Sequence, residues 1–120
     1  MARAKKNYFK RSEEWCPCCH SGGLLPDFRD KLNLARETAG IPFILNSAFR
    51  CEKHNQEVGG SCSSSHLVGC AVDIWCDDSR SRWLIIDALI KAGFNRIGIA
   101  KTFIHVDDDM TKEPQLIWEY

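Results

Sequence analysis

Ser64-Ser65-His66-Leu67-Val68-Gly69-Cys70-Ala71-Val72-Asp73 is the run from which the architecture of this chain can be built. It sets a histidine and a carboxylate seven residues apart, with a glycine between them. From Cys70 to Cys76 the chain alternates as a strand does, so Ala71, Asp73 and Trp75 share one face while Val72 and Ile74 share the other. Further on, Phe103-Ile104-His105-Val106-Asp107 alternates again, with Phe103, His105 and Asp107 on one face and Ile104 and Val106 toward a core. Two histidines and a carboxylate, with one coordination position left to water, make the ligand set of a catalytic zinc site. Taken singly, each has a plainer reading as a hydrogen-bonded histidine or an aspartate paired with an arginine. Yet Asp73 and His105 each interrupt an apolar strand, where an unsatisfied polar group is costly, and one shared metal offsets that cost for both. His66, Asp73 and His105 are therefore the candidate metal ligands.

Upstream of this run, Leu24 to Gly40 has helical spacing. Pro26 suits a first turn, Phe28, Leu32 and Ala35 fall on one face, and Gly40 sits where a helix-ending glycine belongs; Arg29, Asp30, Lys31 and Glu37 take the wet side. Pro42 opens an apolar stretch, Phe43-Ile44-Leu45-Asn46-Ser47, read as a mostly buried strand that ends at Ser47-Ala48-Phe49-Arg50. Cys51 to Ser65, with Asn55, Gly59, Gly60 and a run of small polar residues, reads as one long loop, a feature that in small domains carries function or moves. Downstream, Asp77-Asp78-Ser79 caps a helix in which Trp83, Ile86, Leu89 and Ile90 recur at three-to-four spacing until Gly93. Ile97-Gly98-Ile99-Ala100 and Phe103–Asp107 form a hairpin through Lys101-Thr102, and Leu116-Ile117-Trp118-Glu119-Tyr120 forms a final strand or extended cover. The expected fold class is α+β: a small, mainly antiparallel sheet with two principal helices and the site on the sheet's open face.

A chain of 120 residues makes one domain, here expected over 24–120, behind a basic, cysteine-containing N-terminal segment, 1–23. Lys+Arg and Asp+Glu balance at 16 each, so no overall field recruits nucleic acid or an anionic membrane, and the balanced surface leaves the oligomeric state open. The basic start, Met1 to Tyr8, is not followed by the apolar core of a signal peptide, and no apolar run is long enough to span a bilayer. The expectation is a chain made in the cytoplasm, with Arg3, Lys5, Lys6, Lys10 and Arg11 in a solvated tail. Seven cysteines leave at least one thiol unpaired within the chain, and most are expected reduced. Trp15-Cys16-Pro17-Cys18-Cys19-His20 is the densest cluster of soft ligands, but structural zinc normally takes ligands from two separated knuckles, and only Cys51 and Cys62 could serve as distant partners. Three readings of it stay open: a metal site, a disulfide to Cys51 or Cys62, or plain buried thiols.

Ser64-x-His66-x-x-Gly69-x-Ala71-x-Asp73 resembles the signature of the zinc D-alanyl-D-alanine carboxypeptidase family, whose relatives include vancomycin-resistance dipeptidases, phage L-alanyl-D-glutamate endolysins and the zinc-bearing hedgehog signalling domain. Ser47-Ala48-Phe49-Arg50 is similar to the family's Ser-Gly-Tyr-Arg segment, and His54-Asn55 followed by Val58-Gly59-Gly60 to the stretch leading into the signature. Phe103–Asp107 is similar to the strand bearing the last ligand, so the likeness covers about 24–120. It implies one catalytic zinc on His66, Asp73 and His105, with Arg50 near the site to bind a developing oxyanion or a substrate carboxylate, or else paired with an acid such as Asp73. Ser64 is expected to bond substrate or to shape its turn, and Trp118 resembles the aromatic C-terminal segment of short phage and bacterial members. One departure stands out: where many members carry a base just before the last ligand, this chain has Thr102 and Phe103. Asp107 is the expected substitute as general base, with Asp108, Asp109 and Glu119 as alternatives, or Asp107 orients a ligand histidine. The implied activity is zinc-dependent hydrolysis of peptidoglycan stem peptides or cross-links, by a carboxypeptidase or endolysin-like endopeptidase reaching the cell wall through holin-type release or as a phage-associated protein. The rivals are a non-catalytic zinc-bearing wall- or protein-binding module, and a metal or redox protein centred on Cys16–His20.

Overall fold

The computed structural model describes residue 4 and residues 6–120; Arg3 and Lys5 of the basic tail lie outside the described residues. Five strands form one sheet in the order β1-β2-β4-β3-β5, where β1 is Leu45–Ser47, β2 Ala71–Trp75, β3 Arg96–Ile99, β4 Phe103–Asp107 and β5 Leu116–Glu119. All pairings are antiparallel except β3 with β5. The two principal helices are α2, Pro26–Ala39, and α4, Ser79–Lys91; α1, Arg11–Glu14, and α3, Glu52–Glu57, are short. Both principal helices lie against one face of the sheet, where Phe28, Leu32, Ile85 and Leu89 meet Val72, Ile74, Ile104 and Val106 in one core. The opposite face is left to the polar residues of β2 and β4. This is the α+β architecture that the sequence predicts. No helix among the described residues is long and apolar enough to cross a membrane.

Helix α2 follows its pattern closely. Pro26 opens it, Gly40 closes it in the left-handed conformation (φ 71°), and Phe28, Leu32 and Ala35 are fully buried. Helix α4 begins as expected, with the Asp78 side chain accepting from the Ser81 amide at 2.8 Å, but its inward stripe shares only Leu89, and Ile86 in part, with the expected one. Ile85, Ala88, Leu89 and Ala92 are buried, whereas Trp83 and Ile90 are 63% and 52% exposed. Both stripes have three-to-four spacing, so periodicity alone could not choose between them. The long loop also holds more structure than expected. Cys51, an unusual cap, accepts from the His54 amide and starts α3, and a 3-10 turn at Ser65–Val68 delivers His66.

The segment before α2 is tied to the core by an ion pair. Glu14, 3% exposed, takes both Nε and Nη2 of Arg29, at 2.8 and 2.6 Å, and also accepts from the Leu24 amide. Removing Arg29 would strand a buried carboxylate. Arg29 keeps about a third of its side chain in water, so Arg29→Leu should cost about 2 kcal/mol, below the range for breaking a fully buried pair. Urea unfolding at neutral pH measures it; a change near zero would mean that the pair is energetically idle.

Candidate metal centre

Register brings the site together. In the β2–β4 ladder Asp73 lies directly opposite His105, and Ala71 opposite Asp107, so both carboxylates and His105 stand on the sheet's open face. His66 reaches them from its 3-10 turn. Ser64 Oγ accepts from the His66 amide at 3.2 Å, and Gly69 ends the turn at φ 77°. A Cβ on Gly69 would lie 2.5 Å from the Gly23 carbonyl oxygen. Gly69→Ala thus combines left-handed strain with a main-chain clash, and should lose at least about 2 kcal/mol of stability, read by thermal unfolding; an unchanged midpoint would show that the turn relaxes freely.

The three candidate ligands converge, with one donor atom of each within 4.8 Å of the others. Asp73 Oδ1 is 2.9 Å from His105 Nδ1 and 3.4 Å from His66 Nε2. His66, 3% exposed, gives its Nδ1–H to the Ala48 carbonyl at 2.7 Å. Its Nε2 faces a carboxylate oxygen, an arrangement that either a proton on the ring or a metal ion between the two satisfies. His105 is bracketed in the same way, by Asp73 on Nδ1 and by Asp107 Oδ2 on Nε2 at 2.8 Å. Burial works against its protonation, but the hydrogen bonds and charges of Asp107 and Asp73 prevail and raise its pKa. Burial likewise opposes the ionised form of Asp73, yet the two histidines hold its carboxyl far below the usual range. The site is therefore built around positive charge. A divalent ion on His66 Nε2, Asp73 and His105 Nδ1 supplies that charge with neutral imidazoles and leaves His105 Nε2–H to donate to Asp107. The residues fit a zinc ion of the two-histidine, one-carboxylate class.

Asp107 is 1% exposed and has both oxygens engaged: Oδ2 accepts from His105, and Oδ1 accepts from Arg96 Nε at 2.6 Å. Arg96, which the sequence reading did not single out, also donates to the Glu113 carbonyl and places its guanidinium 5.2 Å from the Trp118 ring. Its signal was available, since it is a charge opening an apolar strand, registered opposite Asp107. Asn55 was passed over too. Buried within α3, it accepts from Arg50 Nη1 at 3.2 Å and donates to the Ser61 carbonyl, while Gly60 leaves room for it. Arg50 further donates to Ser47 Oγ at 2.9 Å and lies 3.4 Å from Asp73 Oδ2.

These groups floor a cleft of about 360 Å³, walled by Ser64, Phe103, Lys112, Trp118 and Tyr120. Trp118 lies across Gly98 of the neighbouring strand, where any Cβ would fall 2.6 Å from its Nε1, and its ring centre is 5.6 Å from that of His105. Among the described residues lining the cleft, the carboxylates are Asp73 and Asp107. Asp108, Asp109 and Glu119 are not in its wall; Asp109 instead accepts from Ser65 Oγ at 2.7 Å. A family model described as Peptidase M15 matches residues 5–107. No curated protein matches the chain.

Proposed function

The chain belongs to the Peptidase M15 family, and from that premise we propose that it is a zinc peptidase that hydrolyses the short peptides of peptidoglycan. The observation that carries the reading is the convergence of His66 Nε2 and His105 Nδ1 on Asp73 Oδ1 at the floor of an open cleft. A zinc ion held by these residues would supply Lewis-acid polarisation of a scissile carbonyl and a water acidic enough to attack near neutral pH. Arg50 serves the substrate. Three of its five N–H donors are spent on Ser47, Asn55 and Asp73, which fixes the guanidinium and leaves the rest for a carboxylate or a developing oxyanion. Lys112 adds a second cation and Trp118 an apolar wall, a combination that suits a short acidic peptide. Asp107 acts through His105: it holds the ring by Nε2 and raises its strength as a ligand, a positioning role that the engagement of both its oxygens supports. Delivery to the wall by holin-type release or as part of a phage particle remains part of this proposal.

A second reading has a specific observation behind it. Among the described residues lining the cleft, both carboxylates are engaged and none is left free as a base, as would suit a zinc-bearing module that binds wall peptides without cutting them. Incubation with purified muropeptides of several chemotypes, read by mass spectrometry, separates the two. The peptidase reading expects cleavage that stops when a chelator removes the metal and returns with added zinc, and the released fragment identifies the bond. Stoichiometric zinc with every muropeptide left intact would overturn it in favour of the binding module.

A further inference from the structure

A second cluster of ligand atoms stands apart from the cleft. The Sγ atoms of Cys16, Cys18 and Cys51 form a nearly equilateral triangle, with separations of 3.4, 3.5 and 3.3 Å, and the Cys19 Sγ lies within 4.8 Å of all three. The backbone is folded to bring them there. The Ser21 carbonyl accepts from the Cys16 amide at 2.8 Å, the Cys16 carbonyl accepts from the His20 amide at 2.7 Å, and His20 takes the left-handed conformation at φ 55°. Its ring stacks on Trp15, closing the knuckle. From the other side, the cap of α3 presents Cys51, whose sulfur already accepts the His54 amide. The sequence lacks a second knuckle beside the first; the fold supplies the distant ligand from Cys51.

We propose that Cys16, Cys18, Cys19 and Cys51 bind a structural zinc ion, separate from the candidate catalytic centre. A disulfide would pair two of these sulfurs, whereas three near-equal separations with a fourth sulfur close by suit a shared centre. Thiolates at about 2.3 Å from a tetrahedral zinc stand about 3.8 Å from one another, close to the spacing seen. All four ligands are soft sulfur, the donor set of closed structural zinc sites with no position open to substrate. Each thiol gives up its proton on binding, and the Cys51 sulfur keeps an N–H bond that stabilises the resulting charge. The ion would join residues 16–19 to the residue that follows Arg50, alongside the bond from the Phe49 amide to the Glu14 carbonyl. It would thereby hold in place the Ala48–Arg50 segment that orients His66 and Arg50.

Metal counting on the intact chain, purified under reducing conditions and loaded with zinc, tests this independently of any hydrolysis. The expected result is two zinc ions per chain, falling to one in Cys18→Ser and Cys51→Ser, and also to one in His66→Ala. Cobalt(II) in the wild type should give an intense thiolate-to-metal charge-transfer band, because the histidine–carboxylate centre has no sulfur; this holds even if a cysteine variant fails to fold. A single zinc lost in His66→Ala, with no charge-transfer band, would overturn the proposal. So would a disulfide within the cluster, found by mass spectrometry in metal-loaded protein.

Discussion

Asp73→Ala should abolish zinc binding at the histidine–carboxylate centre. Asp73 Oδ1 is the one atom to which both ring nitrogens point, at 2.9 and 3.4 Å, and its removal takes away a ligand and the negative charge that balances the ion. The loss of zinc affinity should exceed the roughly 10–100-fold typical of losing a residue that only supports a ligand. Any peptide hydrolysis should fall with it to the level of chelator-treated protein. Equilibrium dialysis or titration with a zinc indicator gives the affinity, counted against the cysteine cluster. Retention of full affinity by Asp73→Ala would place the ion elsewhere and remove the basis for a metallopeptidase.

Asp107→Asn should weaken the same centre without touching a ligand. The carboxylate accepts from Arg96 on one oxygen and His105 on the other. An asparagine has one acceptor and turns an N–H₂ donor toward whichever partner it cannot serve. Zinc affinity should drop about 10–100-fold. Stability should fall by about 3 kcal/mol, because the Arg96 charge, nine-tenths buried, loses its counter-ion. Burial opposes ionisation of Asp107, but the hydrogen bonds from His105 and Arg96 hold its carboxyl below the usual range, so the wild-type group is charged at neutral pH. The split between affinity and turnover identifies the role. A positioning carboxylate lowers zinc affinity and hydrolysis together, and saturating zinc restores part of the rate. A general base would leave affinity intact and collapse kcat alone.

Much of this was legible in the residues. His66, Asp73 and His105 could be picked out because polar side chains inside alternating apolar strands have few affordable explanations, and strand alternation put Asp73, His105 and Asp107 on one face before any register was known. Helix α2 was legible because its stripe, its proline and its glycine agree. The inward face of α4 was not, since Trp83 and Ile90 repeat with the same period as Ile85 and Leu89; only packing against the sheet selects one stripe. Roles that depend on side-chain partners were least visible. Nothing local to Asp107 announces that Arg96 would occupy its second oxygen, and nothing near Cys16 chooses Cys51 over Cys62 as its distant partner. Both choices are made by contacts between separate elements of the fold.

The parallel strand β5 gives the molecule a division of labour. The candidate metal ligands and the residues that hold them all precede Asp108, within the span matched to the family. Lys112, Trp118 and Tyr120, which wall the cleft, follow it in a tail attached along one side of β3. Gly98 accommodates that tail by leaving a bare patch of strand on which Trp118 rests, and Arg96 holds it by donating to the Glu113 carbonyl. Substitutions in the tail would thus reshape the cleft wall, with Arg96, which bonds both Asp107 and the Glu113 carbonyl, as the link to its floor. Changes at Lys112 or Tyr120 would therefore be expected to alter which peptides the cleft admits before they disturb the residues at its floor.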